Sequence, residues 1–225
     1  MNRKIASRVL ISASAFLFTA CATVPAVQPV NNDQGPLLTS STITVATPQP
    51  AANTDSGTSS SLACENGRQS ATLTPQETEG PYFTANSPER SSLLEDGMSG
   101  TKILINGYVF SQNCQPIANA LLDFWQADAN GNYDNQGYTL RGHQYTDAGG
   151  RFELTTVIPG LYPGRTEHIH VKVQAPGGSL ITTQLFFPGV SQNDSDGIYN
   201  DALLLVINET SEGMQGQFNF VVPAS

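Results

Sequence analysis

From Ile103 onward, apolar residues recur in short bursts cut by Gly, Pro, Asn and Asp. ILINGYVF (Ile103 to Phe110) is one such burst, and SQNCQPIAN after it reads as a turn. ALLDFWQAD (Ala120 to Asp128) is a second, ending at a loop with Asn130-Gly131. GRFELTTVI (Gly150 to Ile158) and HIHVKVQA (His168 to Ala175) alternate apolar with polar, the period of a strand with one buried face. SLITTQLFF (Ser179 to Phe187), ALLLVINE (Ala202 to Glu209) and GQFNFVVP (Gly216 to Pro223) complete the series. ALLLVINE is helical by composition, but its shortness and β-branched residues favour a strand. The pattern predicts an all-β fold, a β-sandwich of about seven to eight short strands with long loops.

The chain ahead of this region has a different texture. Arg3, Lys4 and Arg8 precede an apolar run, Val9 to Ala20, too short to span a bilayer. FTAC follows and looks like a bacterial lipobox, although Phe18 stands where an aliphatic residue is usual. Residues 1–20 are thus expected to be a lipoprotein signal peptide, with Cys21 lipidated. Ala22, not Asp, after the cysteine points to outer-membrane sorting. Thr23 to Ser61 has no aromatic residue and is rich in Ser, Thr, Pro, Asn and Gln. Such a stretch cannot bury enough apolar surface to offset its ordering entropy. Residues 21–62 are therefore expected to be a disordered tether, reaching roughly 35 Å. The folded domain is expected over 63–225.

Charge narrows the function classes. Ten basic residues against 19 acidic ones give a net charge of −9, and no basic patch suited to nucleic acid. With Cys21 set aside, Cys64 and Cys114 remain. An even pair in an exported chain predicts a disulfide, here pinning the incoming chain to the domain.

The chemistry concentrates in PGLYPGRTEHIH, Pro159 to His170. His168 and His170 are one residue apart, so on a strand both imidazoles project from one face, as a metal ion needs. Tyr162 sits in a Pro-Gly turn that fixes its direction, and Tyr133 lies in the loop ADANGNYDNQGY. A hard, highly charged cation stabilises phenolate, and ferric iron is such a cation. Zinc more usually takes Cys, His or carboxylate, and ferrous oxygenase sites take two His and a carboxylate. Glu167 is the nearby carboxylate, but on an extended strand it faces away from the histidine pair.

The ordered series TPQETEGPYF (Thr74 to Phe83), GYVFSQNCQPIANALLDFWQADANGNY (Gly107 to Tyr133), LRGHQYTDAGGRFELTTVIPGLYPGRTEHIHVKV (Leu140 to Val173) and TQLFFPG (Thr183 to Gly189) resembles the intradiol ring-cleavage dioxygenases. The resemblance implies one non-haem Fe(III) per chain, held by Tyr133, Tyr162, His168 and His170 beside long active-site loops. It implies that Tyr162 leaves when substrate binds, and that Arg165 and Gln184 lie beside the substrate. Tyr138 and Tyr145 compete for the first tyrosine position, and the G-x-Y context favours Tyr133. The implied reaction joins a catechol and dioxygen and opens the ring between the two hydroxylated carbons to a muconate-type diacid. The chain departs from the family in its short Tyr162–His168 interval, its lack of an N-terminal helical region and its export signal. Two other readings remain: a zinc hydrolase using the histidine pair, and a non-catalytic β-sandwich binding module.

Overall fold

The computed structural model describes residues 63–65 and 69–224. The signal peptide, Cys21 and the whole of the tether expected from the sequence lie outside the described residues. Nine strands form two sheets: β1 Lys102–Ser111, β2 Leu121–Gln126, β3 Arg141–Tyr145, β4 Arg151–Val157, β5 His168–Gln174, β6 Ile181–Phe186, β7 Val206–Thr210, β8 Gly213–Gln217 and β9 Phe220–Val222. One sheet runs β4-β1-β8-β7 with β9 also on β1, and the other runs β3-β2-β5-β6. Among the described residues there is no α-helix, so the expected all-β sandwich is the fold found.

The core lies between the sheets and follows the alternation in the sequence. Ile103, Ile105 and Val109 point inward from β1, Leu122 and Phe124 from β2, and Ile169, Val171 and Val173 from β5. The intervening residues of β2 and β5, among them Trp125, His168 and His170, therefore occupy the opposite face of the second sheet. A strap, residues 74–95, crosses that face. Glu77 N–H donates to Thr182 O on β6 (2.9 Å), Arg90 N–H to His143 O on β3 (2.8 Å), and Leu93 N–H to Thr155 O on β4 (2.9 Å). Cys64 and Cys114 form a disulfide with Cα atoms 5.2 Å apart, joining the chain ahead of the strap to the turn after β1.

Three elements differ from the sequence expectation. β3 was not expected, because Arg141, His143 and Tyr145 alternate with Gly142 and Gln144 rather than with aliphatic residues. ALLLVINE is only half strand. Its start is a 3-10 turn, Asp201–Leu203, in which the Asn200 side chain accepts the Ala202 N–H. Its buried leucines cover the β6 edge, where Leu205 N–H donates to Phe186 O (2.9 Å). GQFNFVVP divides into the end of β8 and β9, both parallel to β1. The break is at Asn219, whose side-chain oxygen accepts Tyr108 N–H (3.0 Å) in place of a ladder carbonyl.

Candidate metal centre and catechol pocket

His168 and His170 lie at the start of β5 and are almost fully buried, at 4% and 3% exposure. His168 Nδ1 donates to Thr166 O at 2.7 Å, so its Nε2 carries the lone pair. That Nε2 is 3.1 Å from His170 Nε2 and 3.3 Å from Tyr133 Oη. Burial lowers the His168 pKa to about 4 and holds that of His170 well below the ordinary imidazole value. Both rings are thus neutral near pH 7, the form that ligates a metal. Burial also pushes the Tyr133 phenol up to about 12. Tyr133 therefore needs a nearby cation to ionise. Two neutral imidazoles and a phenol converging on one point fit a hard trivalent cation better than zinc. Among the described residues no group of three or more His, Cys, Asp or Glu stands ready for a metal, and no carboxylate joins the pair.

The loops that carry the tyrosines are built for placement. The Asp128 carboxylate accepts the N–H groups of Asn130 and Asn132, and that of Asp134 accepts those of Gln136, Gly137 and Thr139. Tyr133 sits between these two Asx-type turns. The Tyr133 loop then packs directly on the Tyr162 loop. A Cβ on Gly131 would lie 2.1 Å from Leu161 O, and one on Gly160 would lie 2.4 Å from Ala129 O. Only glycine permits backbone contact this close from both sides. The two tyrosine rings meet edge-on with centroids 6.0 Å apart.

Tyr82 binds these parts together, although the sequence reading assigned it no role. Its hydroxyl is 2.7 Å from Tyr162 Oη, and its ring stacks on Tyr133 at 4.5 Å. The hydrogen bond to Tyr162 is the main cause of a raised Tyr82 pKa. Gly80, two residues earlier, lies against the His170 ring, where an added Cβ would be 3.5 Å from Cε1. Buried Arg141 ties strap to loop, donating to Tyr82 O (2.6 Å) and, through Nη2, to Asp134 O (2.7 Å). Trp125 stacks face to face on His170, with centroids 4.7 Å apart and planes 6° from parallel. The Gly-Pro ahead of Tyr82 was the available signal, since it aims an aromatic side chain as the turn at Tyr162 does.

Arg165 meets both an acid and the expected glutamine. Its Nε donates to Asp196 Oδ2 (2.8 Å) and its Nη2 to Gln184 Oε1 (2.6 Å). Gln184 Nε2 in turn donates to Thr78 O on the strap (2.9 Å). Burial works against the Asp196 charge, but the Thr166 amide, Arg165 and the Ile198 amide outweigh it and leave the pKa lowered. Asp196 had no sequence signal. Next to Arg165 opens a cavity of about 310 Å³ lined by Leu161, Tyr162, Gly164, Arg165, Gln192 and Ser195. Neither competitor of Tyr133 joins the site. Tyr138 donates its hydroxyl to Ala85 O, and Tyr145 is half exposed beside His143.

Known proteins resemble this chain in sequence as well as in fold. The family model described as Dioxygenase matches residues 78–222. Catechol 1,2-dioxygenase 2 of Acinetobacter lwoffii is 32% identical over 52% of this chain and 52% of its own length. 6-Chlorohydroxyquinol 1,2-dioxygenase of Cupriavidus pinatubonensis is 26% identical over 64% and 62%. The chain thus spans about half to three-fifths of the length of the curated relatives it matches. Among solved structures, the dioxygenase domain of a dioxygenase carbohydrate-binding protein fusion from Streptomyces sp. SirexAA-E superposes with a TM-score of 0.66. It is 49% identical, covering 68% of this chain and 100% of that one. The intradiol ring-cleavage dioxygenase of Tetranychus urticae gives 0.62 at 27% identity, covering 68% and 95%. The match runs from the strap through β9 and takes in every residue of the convergent site, so this chain belongs to the intradiol ring-cleavage dioxygenase family.

Proposed function

We propose that the protein cleaves catechol-type rings between the two hydroxylated carbons, using dioxygen and one Fe(III) held by Tyr133, Tyr162, His168 and His170. The observation that carries this reading is that His170 Nε2 and Tyr133 Oη lie 3.1 and 3.3 Å from His168 Nε2, with the Tyr162 ring edge-on against Tyr133. Ferric iron supplies Lewis acidity toward a catecholate and one-electron access to dioxygen chemistry. Tyr162 Oη, at the cavity wall, is the base positioned for a catechol proton. Tyr82 is its hydrogen-bond partner there. Arg165, oriented by Asp196 and Gln184, holds a guanidinium at the cavity for charge developing on the ring. The strap and the Trp125–His170 stack exclude water from the ligand side. The relatives' named substrates, catechol and 6-chlorohydroxyquinol, set the class tried first.

The test uses the full chain loaded with iron. Ferric tyrosinate absorbs visible light, so the protein should be coloured and should take up one dioxygen per catechol with ring opening. His168→Ala should lose colour and reduce turnover by more than about a hundredfold. Colourless protein holding stoichiometric zinc and inert to catechol would sink the reading. Export and lipidation at Cys21 belong to the same proposal. The Cys64–Cys114 bridge supports them, because disulfides persist in oxidising compartments. Partition into detergent that survives Cys21→Ser would refute the anchor.

A further inference from the structure

Lys172 follows His170 by two residues on β5 and faces the same way. Its side chain is only 11% exposed, unusual for lysine. The ammonium pairs with Glu79 and donates to Thr182 Oγ1 at 3.1 Å. It lies 4.5 Å from the centroid of the Phe83 ring and 5.8 Å from that of Trp125. Its cross-strand neighbour on β2 is Asp123. Phe83 also meets Trp125 edge-on at 4.9 Å.

The placement of these partners matters more than their number. Glu79 and Phe83 flank Gly80-Pro81-Tyr82, the part of the strap that covers His170 and touches Tyr133 and Tyr162. Trp125 is the ring stacked on His170. One ammonium therefore grips both ends of the covering segment and one face of the stack. An exposed ion pair would do little. A mostly buried cation against two aromatic faces does more.

We propose that Lys172 is a positioning residue that clamps Glu79–Phe83 over the metal centre and so sets the Tyr82–Tyr162 hydrogen bond. The proposal rests on the functional reading only in taking Tyr162 and His170 as ligands. Its first test is independent of catalysis. Lys172→Met keeps the apolar stem and removes the charge. In the metal-free full chain, amide hydrogen exchange at Glu79, Gly80, Tyr82 and Phe83 should rise about tenfold while β1 and β4 stay protected. Lys172→Arg keeps a cation able to stack on the rings and should restore protection. In iron-loaded protein, the visible tyrosinate band of Lys172→Met should shift and that of Lys172→Arg should return. Exchange that is unchanged, or that rises equally across the domain, overturns the clamp. A freed strap with an unshifted band overturns its link to Tyr162. If Lys172→Met does not fold, Phe83→Leu, which removes the ring under the ammonium, must show the same local loosening, and full protection there overturns the proposal. Loosening confined to the strap in a protein inert to catechol would keep the clamp and reject the functional reading.

Discussion

Two rows of side chains on the same sheet face are built alike and behave oppositely. Arg141, Trp125, His170 and Gln184 stand side by side across β3-β2-β5-β6 at one end. Tyr145, Leu121 and Gln174 stand side by side at the other. Strand geometry places both rows equally well. The first row is at most 3% exposed, whereas Tyr145 is 50% exposed beside an open depression lined by Asn119, Leu121 and Pro176. The difference is the strap, which covers the first row with Gly80, Tyr82 and Phe83 and leaves the second bare. Strands fix where side chains point, and the covering chain decides their dielectric and so their chemistry.

The comparison can be broken most severely at Trp125. Trp125→Ala removes the ring between His170 and Phe83 and should cost about 3–5 kcal/mol in denaturant unfolding. Next is Asp196→Asn, expected to cost about 1–3 kcal/mol at neutral pH by leaving Arg165 unpaired. The folded Asp196 pKa is lowered, so its stabilisation is present above the ordinary aspartate value. It is lost as pH falls through the folded value. The stability gap between wild type and Asp196→Asn should therefore close in acid below about pH 4. A gap that widens in acid would reverse the sign. Tyr82→Phe removes only the hydroxyl bonded to Tyr162. It should lower kcat about tenfold with stability changed by no more than about 1 kcal/mol. Tyr145→Ala, at the bare end, sharpens the contrast by doing least. It should change stability by about 0.5 kcal/mol or less and leave catechol turnover untouched.

The sequence made the histidine pair readable because a strand's period of two is unambiguous, and His168 and His170 do face one another. Tyr133 and Tyr162 were reached through ordered resemblance, since no local pattern says that two distant loops touch. Gly131 and Gly160 are the physical means of that contact, and each alone reads as an ordinary turn residue. Tyr82 and Asp196 were missed because their roles come from partners 80 and 31 residues away. β3 was missed for a related reason. Its inward positions are Gly142 and Gln144, and two of its outward residues, Arg141 and His143, meet the strap rather than water, so the alternation that marks a half-exposed strand is absent. ALLLVINE misled in the opposite direction, with apolar residues that serve as edge cover rather than as a strand.

The Cys64–Cys114 bridge also determines how force enters the molecule. The strap lies wholly within the 50-residue covalent loop that the bridge closes. Tension on the chain ahead of Cys64 passes through sulfur to the turn after β1, and from there into a strand held by β4, β8 and β9. The strap is a side branch off that load path and stays slack. A domain pulled by its leading end would thus keep Tyr82 seated on its two tyrosines, and reducing the bridge would turn the strap into the first element to bear load.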